Sequence, residues 1–284
     1  MMAIPPPVTL GCYWVNDYEK PPTCGFFEGL RVLEQTKHCD DLADGFAGAM
    51  RRRGHRLAVR RIEGAASPLQ WELATDADSN GVDTVDFAFL ATHGGTRGRE
   101  RSGGGWVHWV NATFNSRDGC RVSTIESPVD LSDPKAAMQL GDGSLRWVVL
   151  DLCRSLQIGL VNEELRPEDE DRRKVLTEAH PARTWRRCFS GVHIIFGFTG
   201  ASSDASWTAT RGAAFGRRAA AGERLAESWL DEAHSSVKGD APVAVAWGLS
   251  EEDALRRLKA ESLASPESTL DPTEIRGCAV IWRS

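Results

Sequence analysis

The feature that most constrains this chain is an alternation. Short apolar segments rich in Val, Ile and aromatic residues are separated by longer stretches with helical spacing. That rhythm predicts an α/β fold with a mostly parallel central sheet and flanking helices. Strands are expected over residues 8–15, 56–62, 85–91, 146–150, 191–198 and 243–247, with a further one over 276–282. Residues 40–53 set Leu42, Phe46 and Met50 at i, i+4 and i+8, a stripe for a core. Residues 211–233 keep three-to-four spacing through Phe215, Ala219, Ala226 and Trp229, although Gly212, Gly216 and Gly222 lower helix propensity there. Ser250 and the three acids after it predict an N-cap for a helix over 251–262.

Two stretches break the rhythm within what otherwise reads as one domain over 1–284. Residues 96–143 contain Gly103-Gly104-Gly105 and an alternating segment, 106–110, which predicts a small antiparallel hairpin. Residues 165–180 hold an acidic run, 168–171, beside Arg172, Arg173 and Lys174. Both insertions follow strands that end in reactive side chains, and long loops in compact domains tend to be functional or disordered.

Composition narrows the function classes. The 284 residues are 41% hydrophobic and 26% charged, an ordinary globular balance. Forty acidic residues against 34 basic ones give a net charge of -6, which argues against nucleic acid as a partner. No apolar run approaches the ~18 residues of a membrane helix, so no membrane partner is expected. The opening Met-Met-Ala-Ile-Pro-Pro-Pro has neither the basic nor the apolar region of a signal peptide, and the expectation is a cytoplasmic protein. Seven scattered cysteines without a Cys-x-x-Cys pair read as reduced, mostly buried thiols, with neither metal nor cofactor expected. The sequence carries no signal for an oligomeric state.

The exception among the thiols is Cys153. The strand over 85–91 runs into Thr92-His93-Gly94-Gly95, and the strand over 146–150 runs into Asp151-Leu152-Cys153-Arg154-Ser155. Catalytic groups of open α/β sheets collect at the carboxyl ends of strands. Two neighbouring parallel strands would present the imidazole of His93 and the thiol of Cys153 on one edge. Such a pair can hold sulfur as the thiolate, the actual nucleophile. Gly94 lets backbone approach a substrate, and the Gly94 and Cys153 amides are candidates for an oxyanion hole.

A hydrophobic strand ending in His-Gly, then a long insertion and a hydrophobic strand ending in Asp-x-Cys-x-Ser, resembles the caspase–hemoglobinase superfamily. It is nearer the metacaspase, legumain and gingipain motifs than those of true caspases. The resemblance spans roughly residues 8–247 in element order, and two short motifs carry it. His93 precedes Cys153 by sixty residues, against ~50 in caspases. Leu156 stands where metacaspase-like motifs carry a small residue, and the caspase Gln-Ala-Cys signature is absent. The resemblance implies a caspase-like three-layer sandwich. It also implies a cysteine endopeptidase acting through a thioacyl intermediate on peptide or protein substrates. Asp151 falls at a position that faces the S1 pocket in that superfamily, which implies cleavage after basic P1 residues, with asparagine the alternative; a helix-capping role for it weighs equally. In caspases the region after the cysteine is a linker cut during maturation, which makes Arg172, Arg173 and Lys174 candidate self-cleavage sites.

The loop Thr199–Trp207 should lie on the same edge. Asp204 is a second candidate S1 anion, with a turn or capping role the blander reading, and Trp207 could stack on an arginine or on substrate backbone. His108 between two tryptophans and His193 inside an apolar strand read as packed histidines. Other readings of the whole chain stay open: a non-catalytic peptide- or partner-binding scaffold, and a peptide ligase or cyclase on the same fold. A thiol hydrolase on another α/β fold is disfavoured, because no Gly-x-Ser-x-Gly-like elbow surrounds Cys153.

Overall fold

The computed structural model describes residues 5–18, 35–66, 71, 81–100, 106–116, 119–125, 136–159, 179–234 and 240–284. Extended segments fall close to where the apolar runs predict them. They are β1 (Thr9–Trp14), β2 (Arg56–Ile62), β3 (Phe87–Ala91), β4 (Gly94–Glu100), β5 (Trp106–Ser116), β6 (Gly119–Ser123), β7 (Trp147–Asp151), β8 (Ile194–Thr199), β9 (Ala241–Gly248) and β10 (Gly277–Trp282). Seven of them form one sheet in the order β10-β9-β8-β7-β3-β1-β2, and β4-β5-β6 form a second, smaller sheet. β2, β1, β3, β7 and β8 run parallel; β9 and β10 extend the sheet antiparallel. The chain is therefore α/β with a mostly parallel seven-stranded sheet.

The chain leaves β1 in two directions. β2 pairs on one side of it and β3 on the other, so the sheet has its topological switch point between β1 and β3. In open α/β sheets a ligand crevice forms outside the carboxyl ends of strands at such a point.

The described helices are α1 (Cys39–Arg51), a single turn α2 (Pro181–Thr184), α3 (Arg211–Ala220), α4 (Leu225–Ala233) and α5 (Glu251–Ala260). Leu42, Phe46 and Met50 of α1 are buried as their spacing predicts. Ser250 caps α5, its hydroxyl accepting the Asp253 N–H at 3.1 Å. The single long helix expected over 211–233 is two helices. Gly222 takes φ 81° after α3 ends, a left-handed turn that terminates a helix and needs glycine. The glycines inside α3 serve packing: a Cβ on Gly212 would stand 2.0 Å from the carbonyl oxygen of Leu42, so α3 lies almost backbone to backbone on α1.

The two sheet faces are covered differently. Leu10, Phe87, Phe89, Val149, Phe196 and their neighbours pack against α1, α3, α4 and α5. On the opposite face Tyr13, Leu90, Leu150 and Val245 pack against Val110, Ala112 and Phe114 of the small sheet and against irregular segments around Trp185 and Phe189. Among the described residues, helices of more than one turn thus cover a single face. The expected hairpin is the three-stranded sheet. The triglycine at 103–105 and nearly all of the 165–180 insertion, with Arg172, Arg173 and Lys174, lie outside the described residues.

Candidate active site

Parallel pairing in register brings the two motifs together. Phe87 to Ala91 of β3 lie opposite Trp147 to Asp151 of β7, and the last matched pair is Ala91 with Asp151. His93 and Cys153 each follow that pair by two residues, on the same edge of adjacent strands. The Thr92 N–H donates to the Asp151 carbonyl at 3.3 Å, extending the ladder past β3. A Cβ on Gly95 would stand 3.8 Å from the Cys153 carbonyl, so the two turns touch. The Thr96 hydroxyl donates to the Arg154 carbonyl at 2.7 Å and ties β4 to the cysteine turn.

His93 sits beside the switch point. Its N–H donates to the phenol oxygen of Tyr18 at 2.9 Å. The Tyr18 ring, from the turn after β1, lies with its centroid 5.0 Å from that of the imidazole. Tyr18 Oη is also 2.6 Å from Thr92 Oγ1, and that hydroxyl donates to the Thr113 carbonyl. The Thr113 N–H donates in turn to the His93 carbonyl at 2.8 Å. Given the alternation of antiparallel ladders, that bond puts Gly94, opposite Ala112, at a non-hydrogen-bonded position with its N–H turned away from β5. Gly94 cannot carry a side chain, since a Cβ would meet Leu152 Cδ1 at 2.3 Å and the Asn111 carbonyl oxygen at 2.6 Å.

Cys153 is half-buried in a turn where Arg154 takes φ 52°. Its sulfur accepts the Ser202 N–H at 3.4 Å, and its S–H points to the Ser202 carbonyl at 3.7 Å. Burial pushes the thiol pKa up, while the Ser202 amide and the Arg154 charge pull it back. The turn is stitched to the segment after β8: the Arg154 N–H donates to the Gly200 carbonyl at 2.7 Å and the Gly200 N–H to Gln157 Oε1 at 3.2 Å.

The two carboxylates expected to line S1 have partners within the chain. Asp151 is buried and receives Arg211 in a fork, Nε to Oδ2 at 2.9 Å and Nη2 to Oδ1 at 2.6 Å, with the Ser202 hydroxyl on Oδ1 at 2.6 Å. The equal-weight reading of Asp151 as a cap on the following segment gives way to this ion pair. Asp204 accepts the backbone N–H groups of Lys37 at 2.6 Å and His38 at 2.9 Å, just ahead of α1, so its blander capping role is the one observed. Trp207 is 55% exposed on the same loop. His108 is buried and stacks on Trp106. His193 is buried, bonded to Glu261 Oε1 at 2.5 Å and Thr269 Oγ1 at 3.0 Å.

Sequence reading missed Tyr18, Ser202, Arg211 and Asp240, a buried carboxylate whose Oδ2 accepts Arg211 Nη1 at 3.1 Å. One signal for Arg211 was present: a cation opening a helix opposes the helix dipole and calls for a local anion, and the first turn of α3 contains no acid. Tyr18 carried no such signal.

Among the described residues no cluster of His, Cys, Asp and Glu is arranged to hold a metal ion, and no helix is long and apolar enough to cross a membrane. The site and fold define an α/β protein with a histidine and a cysteine on the carboxyl edge of adjacent parallel strands. The chain belongs to the family described as a domain of unknown function, DUF6345, whose model matches residues 13–274. No curated protein matches the sequence.

Proposed function

We propose that the chain is a cysteine endopeptidase on a caspase-like scaffold, with Cys153 as nucleophile and His93 as general base and acid. The observation that supports it is the register of β3 and β7, which sets both residues two positions beyond one matched pair. Burial raises the Cys153 thiol, which favours its protonated form. His93 takes the proton as sulfur attacks the scissile carbonyl, and the Gly94 and Cys153 amides receive the oxyanion. His93 then protonates the departing amine, and water releases the thioacyl group. The basic P1 preference is not part of the proposal, since Arg211 already fills the fork of Asp151 and backbone amides occupy Asp204. Cys12, Cys39, Cys153, Cys188 and Cys278 are free thiols, which fits a reducing, cytoplasmic compartment.

The test is a fluorogenic peptide library varied at P1, read with wild type, Cys153→Ala and His93→Ala. Cleavage lost in both variants supports the dyad. Cleavage that survives Cys153→Ala, or no cleavage at any P1 by folded wild type, overturns the peptidase reading; the second outcome moves a peptide-binding scaffold to first place.

A further inference from the structure

We infer that Arg211 is a positioning residue for the Cys153 sulfur, acting through Ser202; the inference rests on the reading of Cys153 as the reactive thiol. Ser202 bonds to that sulfur twice, through its N–H at 3.4 Å and its carbonyl at 3.7 Å. The segment that carries Ser202 has no regular secondary structure, so side chains must fix it. They do so from beneath. The Ser202 hydroxyl donates to Asp151 Oδ1 at 2.6 Å and accepts Arg211 Nη2 at 2.7 Å. Arg211 Nη1 reaches Asp240 Oδ2 at 3.1 Å, and Asp240 Oδ1 accepts both the N–H of Ser203 at 3.1 Å and its hydroxyl at 2.6 Å.

One guanidinium therefore holds two consecutive residues of the loop, with its planar group 4.8 Å over the Phe198 ring. The three charged side chains are 4% exposed or less, so water does not compete for these bonds. Only a planar fork fits: Nε and Nη2 meet one carboxylate while Nη1 meets another, a pattern a lysine ammonium does not reproduce. When Cys153 loses its proton, the bond to the Ser202 carbonyl is lost. The Ser202 N–H then becomes a charge-assisted donor to the thiolate. Held in place, it lowers the cost of forming that charge beside Asp151 and Asp240. The carboxylate that sequence assigned to substrate is thus turned inward, and the built-in guanidinium takes the place a substrate arginine would fill.

The full chain is alkylated with iodoacetamide from pH 6 to 9, with the rate of Cys153 modification followed by peptide mass spectrometry. Below the midpoint that rate scales with the thiolate fraction, so a shifted midpoint is read as a changed rate at fixed pH. Variants are Arg211→Ala, Arg211→Lys and Ser202→Ala, and Arg211→Ala is repeated with millimolar guanidinium ion. Loss of one such hydrogen bond to an anion raises the Cys153 midpoint by about one pH unit, roughly a tenfold slower reaction near neutrality. Guanidinium restores Arg211→Ala, Arg211→Lys stays impaired, and buried Cys188 stays unmodified throughout, reporting a retained fold. If Arg211→Ala does not fold, Ser202→Ala, which leaves the ion pairs in place, carries the test. An unchanged or lowered midpoint in the folded variants overturns the inference. Alkylation needs no peptide, so a shifted midpoint in a chain that cleaves nothing keeps this inference and removes the peptidase reading, whereas Cys153-dependent cleavage with unshifted midpoints does the reverse.

Discussion

The phenol of Tyr18 and the imidazole of His93 lie with ring centroids 5.0 Å apart, and the Tyr18 oxygen accepts the His93 N–H at 2.9 Å. The two residues follow β1 and β3, the strands that flank the switch point, so one hydroxyl pins the backbone of the proposed base across the crevice. Tyr18→Phe keeps the ring contact and leaves the half-buried His93 N–H without that acceptor. The expected cost is about 1–2 kcal/mol in urea unfolding. A drop in kcat of roughly tenfold with KM little changed is expected, from a base held less well.

Gly94→Ala should abolish Cys153-dependent cleavage and lower stability by about 1–3 kcal/mol. Its Cβ would press on the backbone carbonyl of Asn111, which cannot rotate away. Gly95→Ala is the control, because its Cβ meets only the Cys153 carbonyl at an ordinary 3.8 Å. Equal activity in the two variants would remove Gly94 from the site.

Asp204→Ala should loosen the entry to α1 by about 1 kcal/mol, the usual worth of a side chain satisfying orphan amides ahead of a helix. The P1 profile should not change. A profile that loses its preferred residue in this variant would return Asp204 to substrate recognition.

Alkaline pH should destabilise the fold. Burial pushes Cys188 and Cys278 up to about 12, and moves Cys12, Cys39 and Cys153 in the same direction. Unfolded thiols ionise near 8.5. Above that pH the unfolded chain sheds protons the native chain keeps, so stability complete below ~8.5 falls as pH rises towards 12. Urea midpoints should decline steadily from pH 8 to 10, and a flat series would contradict the burial of these thiols.

Much of this architecture was legible before any coordinates. Strand positions followed from runs such as Phe87–Ala91 and Trp147–Asp151, because strands buried on both faces must be apolar throughout. The placement of His93 and Cys153 on one sheet edge followed from their positions at the ends of those runs. The break at Gly222 was hidden because the helical spacing continues across it, and a left-handed glycine leaves no trace in periodicity. The fate of Asp151 was hidden for a different reason. Its partner lies sixty residues away, and nothing local distinguishes a carboxylate awaiting a substrate cation from one that meets a cation of its own chain.

The unequal cover of the two sheet faces divides the molecule by consequence. Substitutions where α3 beds against α1 act on how much folded protein accumulates in a cell. Under the proposed function, substitutions in the small sheet, which fastens to the cysteine turn through Thr96, should in addition act on what each folded molecule does. A library of random variants sorted once for abundance and once for turnover per molecule should place Gly212 on the first map alone and Gly94 on both.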